Sequence, residues 1–314
     1  MSIDRAVYTA GTARVAIPTR VFRPSQKKRR GGSATENAVF DMMVRNEGAY
    51  GCRDSTPDRI SEGTKAMMIY PTIELQNGRC VSLHRGRLDE PQIWHVDPVE
   101  TARKYAAAGA NWLHVTDFDA VAGNEATNES IVRDIIRAVG IPVQYGGGIK
   151  SREQIEHWVD AGAGRVVISS AAVTQPRLVK DAAHAHPDQI AVAVDVFKGR
   201  VMSGGWTETT AYEPDTFIAS FAKDPLAALI VTDIDADIDA ADASLSLITR
   251  LAGLASAPVI ARGTVRSLDD ISRLKYVPSV SGTIIGRALF DKSVNLSEAV
   301  AVANAGKEAT APFI

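Results

Sequence analysis

Two carboxylates repeat with the same company. Glu74 is followed by Gly78, Arg79 and Ser82, and Asp195 by Gly199, Arg200 and Ser203, the same types at the same spacing 121 positions later. Each ends a short β-branched, apolar run, so each would project from a strand end, and two carboxylates facing one another form an acid/base pair by placement. A strand-end carboxylate also serves as a helix cap or ion-pair partner; repetition in step with Gly and Arg favours chemistry. Gly146-Gly147-Gly148 follows another such run and precedes Ser151, which opens a helical pattern. Gly147 and Gly148 can therefore bring backbone N–H groups up to an anion that also feels the helix dipole. Tight turns need glycine too, but Ser169 and Ser170 on the next loop add donors and favour a phosphate cradle. Gly263-Thr264 and Gly286-Arg287 are the matching second cradle. A ligand joining the two carries a phosphate at each end and places its middle between Glu74 and Asp195.

The elements that must position these groups are duplicated as well. Val115-Thr116-Asp117-Phe118-Asp119-Ala120 returns as Val231-Thr232-Asp233-Ile234-Asp235-Ala236, and Pro142-Val143, Gly147 and Lys150-Ser151 return as Pro258-Val259, Gly263 and Arg266-Ser267, both at an offset of 116. From Met68 onward, apolar runs alternate with amphipathic stretches of helical period, which argues repeated βα units and a parallel sheet. Strands are expected near 68–74, 112–117, 141–145, 165–169, 190–195, 226–232, 257–261 and 281–285. Ser151 and Ser267, each followed three residues later by Gln or Asp, read as helix N-caps. Eight units close a (β/α)8 TIM barrel, here built from two duplicated half-barrels over 67–306 with a short tail at 307–314. Its site belongs at the C-terminal ends of the strands.

Other residues are weaker candidates. Thr232 and Asp237, at and just past the end of the sixth strand, read as pocket residues. The run from Asp233 to Asp239 resembles a calcium loop but fails as one, because Ile238 takes the glycine position and Ser244 the position of the bidentate Glu. The six histidines share no ligand spacing, and no metal is expected. Trp206, in the loop after the fifth strand, either stacks on a flat heterocycle or packs the loop.

Charge is uneven along the chain. Residues 1–66 carry 12 Lys/Arg against 7 Asp/Glu, and the remainder carries 23 against 30. The segment 1–66 lacks sustained period and suits a disordered or loosely docked arm. It reads as a transit-like leader, a dispensable tail, or an upstream start before a chain that begins at Met67 or Met68; the last fits best, since Met68-Ile69-Tyr70 opens the first strand directly. Lys27-Lys28-Arg29-Arg30 has no interleaved aromatics for base stacking, so nucleic acid is not an expected partner. No apolar run approaches the roughly 18 residues of a membrane span. Two cysteines, Cys52 and Cys80, make no disulfide framework and suit a reducing, cytoplasmic setting. The expected partner is a small bisphosphorylated molecule, met by a monomer.

Pro71-Thr72-Ile73-Glu74-Leu75, Val143-Gln144-Tyr145-Gly146-Gly147-Gly148-Ile149, Ala193-Val194-Asp195-Val196, Gly205-Trp206, Val231-Thr232-Asp233-Ile234 and Ile285-Gly286-Arg287-Ala288-Leu289 together resemble the histidine-biosynthesis barrel family. The Gly-Trp pair resembles its isomerase branch rather than the cyclase. The resemblance covers about residues 67–306. It implies a cofactor-free Amadori rearrangement of an aminoaldose to an aminoketose, on a substrate with a phosphoribosyl group at each end. Glu74 would move the sugar proton as base, Asp195 would open the ribose ring as acid, and Thr232 and Asp237 would assist. Three positions depart from the family: it has Asp where this chain has Glu74, glycine where this chain has Ile238, and paired glycines after a small residue where this chain has Arg262-Gly263-Thr264. Arg262 either points into the mouth and replaces lost backbone donors with a charge, or crowds the second phosphate out. Two alternatives follow: a divergent paralogue acting on another phosphorylated amino sugar, and a catalytically silent barrel that binds a phosphorylated metabolite.

Overall fold

The computed structural model describes residues 66–84, 86–235 and 241–305. The N-terminal segment up to residue 65, the stretch 236–240 with Asp237 and Ile238, and the tail from 306 lie outside the described residues.

Twelve strands run in chain order among the described residues: β1 (Met68–Gln76), β2 (Arg79–Ser82), β3 (Gln92–Trp94), β4 (Leu113–Asp117), β5 (Val143–Gly146), β6 (Arg165–Ile168), β7 (Ile190–Phe197), β8 (Arg200–Ser203), β9 (Glu208–Thr209), β10 (Ala228–Asp233), β11 (Val259–Arg262) and β12 (Val280–Ile285). Eight of them pair in parallel in the order β1, β4, β5, β6, β7, β10, β11, β12, and β12 returns to β1. This is the closed (β/α)8 barrel that the alternating pattern implies. Each expected strand is present within two residues at either end.

The two longest excesses have one cause. β1 and β7 run past Glu74 and Asp195 because each turns back as an antiparallel hairpin, β1 onto β2 and β7 onto β8. Asn77 and Gly78 have φ of 50° and 73°, and Lys198 and Gly199 have 47° and 72°. Two successive left-handed residues make the tight turn whose twist matches that of the flanking strands. The glycine four residues after each acid is thus the turn residue of a hairpin, and its repetition reflects backbone geometry.

Helices cover the outside of the ring. Glu129–Ala138 buries Val132 and Ile135 on one face and leaves Arg133, Asp134 and Arg137 toward solvent, the spacing of an amphipathic surface helix. The Ser151 hydroxyl accepts from the Gln154 N–H, and Ser267 with Asp270 forms a full capping box. Such caps are worth roughly 1 kcal/mol each. One apolar cluster fills the space between sheet and helices, and a smaller one, including Tyr70, Val167, Ala191, Ile230, Ile260 and Ile284, fills the barrel. At the lower end the Arg165 guanidinium lies 4.3 Å from the Trp112 ring centroid and donates to the Tyr70 hydroxyl at 3.2 Å. The interior is therefore a packed core and not a pore.

The register carries the duplication. One row of partners runs Glu74, Thr116, Gly146, Val167, and a second runs Asp195, Thr232, Arg262, Ile284. Val167 pairs with Ala191, four residues before Asp195, and Ile284 pairs with Tyr70, four before Glu74. Each seam between halves therefore steps by four residues, which accounts for the shear of about eight that such barrels have.

Candidate active site

The two rows end at the mouth of the barrel, and two cavities open there. One, of about 410 Å³, is lined by Glu74, Thr232, Gly263, Thr264, Gly286 and Arg287, with Thr72, His84 and Arg266 among its neighbours. The other, of about 210 Å³, is lined by Asp195, Gly147, Gly148, Ser169 and Ser170, with His114 and Thr116 at its floor. Phe118, Trp206 and Arg262 line both. Each lobe thus holds one acid and one expected cradle, and each cradle meets the acid of the opposite half because β1 follows β12 and β7 follows β6 in the ring.

Asp195 is 3% exposed. Its Oδ2 accepts a hydrogen bond from the Ser169 hydroxyl at 3.2 Å, and its Oδ1 has no protein partner among the described residues. A buried carboxylate oxygen left without a donor is costly unless a ligand or water supplies one. The Thr232 and Thr264 hydroxyls are buried and unpartnered in the same way. Ser170 accepts from the Gly204 N–H at 2.9 Å, which ties the loop after β8 to the first cradle.

Steric reasons also fix the cradle glycines. A Cβ on Gly148, whose φ is 59°, would stand 2.1 Å from the Ala120 carbonyl oxygen, and one on Gly147 would meet Asp117 and the Tyr145 hydroxyl at 2.9 Å. In the second cradle Gly263 has φ of 81°, and the Arg287 Nη2 donates to the Leu83 carbonyl at 2.7 Å. Arg287 therefore anchors the segment after β2, and its buried Nε has no partner among the described residues.

Arg262 points into the mouth, where it lines both lobes and meets an acid. Its Nη2 donates to Glu74 Oε1 at 2.5 Å and to the Thr116 hydroxyl at 3.5 Å. The two charged side chains are 12% and 13% exposed, so the pair is far less screened than a surface salt bridge. The Trp206 ring centroid lies 5.9 Å from the guanidinium carbon, and the ring meets Phe118 edge-on at 5.6 Å. Trp206 both packs its loop and faces both lobes. Its φ of 70° follows left-handed Gly204 and Gly205, a costly backbone for an aromatic residue.

Several site residues escaped the reading of the sequence. His114 is buried; its Nδ1 accepts from the Gln144 amide at 3.1 Å and its Nε2 donates to the Thr116 hydroxyl at 3.0 Å. Burial, with the nearby Arg262 guanidinium second, holds its pKa well below the usual histidine value, so the ring is neutral. Asn128 Nδ2 donates to Asp117 Oδ1 and Asp119 Oδ2, both at 2.7 Å. Asp119 Oδ2 accepts from the Asn77 N–H at 2.6 Å, and Asn128 Oδ1 from the Gly78 N–H at 2.9 Å. This clamp fixes the hairpin that follows Glu74, and burial raises the Asp117 pKa despite its hydrogen bonds. The same motif in the second half places the Ser244 hydroxyl on Asp233 Oδ2 at 3.0 Å. Thr116 was visible in principle, since it is the counterpart of Thr232 at the offset of 116.

A family model described as histidine biosynthesis protein matches residues 68–295. The chain is 55% identical over 247 residues to an isomerase of Ruegeria pomeroyi, covering 79% of this chain and 100% of that protein. A second isomerase, from Ruegeria sp., is 52% identical over 248 residues, covering 79% and 100%. One from Jannaschia sp. is 41% identical over 234 residues, covering 74% and 98%. All three names describe an imidazole-4-carboxamide bearing a 5-phosphoribosyl group at position 1 and a (5-phosphoribosylamino)methylideneamino group at position 5. The chain belongs to the histidine biosynthesis protein family, in its isomerase branch.

Proposed function

We propose that the protein isomerises the bisphosphorylated aminoaldose that its relatives' names describe into the aminoketose, by an Amadori rearrangement. One observation carries this reading: two lobes, each with a carboxylate and an anion cradle, meet at a partition of three residues. A molecule with a phosphate at each end fits that plan with its sugar near both acids. Gly147, Gly148, Ser169 and Ser170 hold one phosphate; Gly263, Thr264, Gly286 and Arg287 hold the other.

Asp195, as the acid, gives its proton to the ring oxygen of the aminoaldose, and the ring opens as the amine lone pair forms a C1=N bond. Glu74, charge-paired with Arg262, is the base. It takes the proton from C2, and the electron pair of that C–H bond forms an enaminol. Glu74 returns that proton to C1 while the C2 hydroxyl becomes a carbonyl and gives its own proton back to Asp195, which completes the aminoketose and restores both acids. One proton leaves C2 and one arrives at C1, so the rearrangement needs no external oxidant or reductant. General acid–base participation of this kind is worth about 10²- to 10⁴-fold per group. Thr232, beside Asp195 in the register and with a hydroxyl that has no partner among the described residues, assists. Asp237 is given an assisting role on the family resemblance alone. Both lobes are built from one chain, and the reading includes action as a monomer in the cytoplasm.

Similarity over the whole length of the relatives favours this reaction over a silent barrel or a paralogue with another sugar. The test is turnover: purified protein is incubated with the bisphosphorylated aminoaldose and the products are separated chromatographically. Conversion to the aminoketose is expected, and binding without conversion would overturn the isomerase reading in favour of the silent barrel.

A further inference from the structure

Arg262 stands where the twofold repeat breaks. Its counterpart 116 residues earlier is Gly146, and the two hold matching places in the two rows of partners at the barrel mouth. The first half has no side chain there. The second half sends a guanidinium across the mouth onto the acid and the threonine of the first half, Glu74 at 2.5 Å and Thr116 at 3.5 Å.

The two acids are held differently. Asp195 is short, and the Ser169 hydroxyl fixes one of its oxygens. Glu74 carries one more methylene and one more rotatable bond, so a well-aimed carboxylate requires an added restraint against its rotamer freedom. Arg262 supplies one. Its own direction is set from behind: Thr116 is held by His114, and His114 by Gln144, all three buried. From above, Trp206 covers the guanidinium.

We propose that Arg262 is a positioning residue for Glu74, so that the longer carboxylate and its guanidinium act as one unit at the junction of the two lobes. The role rests on the isomerase reading, with Glu74 as base. A residue that instead gripped substrate phosphate directly would matter equally whatever carboxylate stood at position 74. A residue that only stabilised the fold would do so too.

The experiment is a double-mutant cycle on the full chain with the bisphosphorylated aminoaldose: parent, Arg262→Ser, Glu74→Asp and the double variant. Loss of the restraint allows the carboxylate to move by about an ångström, and such displacements cost about 10²-fold. Arg262→Ser is expected to lower kcat about 10²-fold in the parent and less than about threefold in the Glu74→Asp background, where the shortened carboxylate has already left the pair. KM is expected to change little beside kcat. If Arg262→Ser does not fold, Arg262→Lys replaces it, with about a tenfold loss in the parent and none in the Glu74→Asp background, since an ammonium lacks the planar fork. An active parent in which the loss is equal in both backgrounds, or falls mainly on KM, overturns the positioning role and leaves the isomerase reading standing. An inactive parent overturns both.

Discussion

Replacing Asp195 by Asn removes a proton and almost nothing else. The side chains have the same shape, and the Ser169 hydroxyl that donates to Oδ2 at 3.2 Å still finds an amide oxygen to accept it. The other oxygen, Oδ1, has no protein partner among the described residues, so its replacement by NH₂ breaks no hydrogen bond within the fold. Stability should move by no more than about 1 kcal/mol, roughly 2–4 °C in melting temperature for a barrel of this size. The chemical step should suffer far more, because an amide cannot protonate the ring oxygen. A loss of about 10²- to 10⁴-fold in kcat is expected, equivalent to about 2.7–5.5 kcal/mol of barrier. The fall should appear equally in kcat/KM, since the lost interaction belongs to the transition state. Initial rates of aminoketose formation, measured by chromatography beside a thermal melt of the same sample, read both quantities. A folded Asp195→Asn variant within tenfold of the parent refutes the acid role.

Two further outcomes test the scaffold. Gly148→Ala introduces a left-handed alanine whose Cβ would stand 2.1 Å from the Ala120 carbonyl; strain and overpacking together should cost about 2–4 kcal/mol and lower the melting temperature by roughly 5–15 °C. Calorimetry showing a shift under about 2 °C would mean that the loop after β4 yields freely. Stability should also fall in acid through His114: its folded pKa lies well below the unfolded value of about 6.5, so the unfolded chain binds the extra proton. The stability is full above about pH 6.5 and is lost below it at up to about 1.4 kcal/mol per pH unit. Urea unfolding at a series of pH values should show this slope in the parent and not in His114→Gln; identical slopes would place His114 outside the titration.

Much of the candidate site was legible because symmetry wrote it twice. Glu74 and Asp195 could be found by their shared company, and Gly263 and Gly286 by their offsets from Gly147 and Ser169. The same signal was open to a wrong emphasis. The glycine after each acid repeats because a hairpin turns there, and the first aspartate of each Val-Thr-Asp motif, Asp117 and Asp233, holds a loop through Asn128 and Ser244. Thr116 was passed over although its counterpart Thr232 was chosen. His114 and Gln144 gave no local sign, since a polar residue inside a strand pattern looks the same whether it faces solvent or a buried relay.

The order of residue types along the chain sufficed for the barrel, the duplication and the pair of facing acids, because period, offset and strand-end position are properties of one dimension. The family reading came from the same source. What the tertiary structure alone decided is which groups meet. Closure of the ring brings β11 within reach of β1 and β4, so Arg262, the last residue of β11, touches Glu74, 188 residues away. The same closure sets each proposed cradle beside the acid of the opposite half and puts Trp206 between the lobes. Side-chain reach across a closed sheet depends on shear and register, and neither is written in the spacing of residues along a single strand.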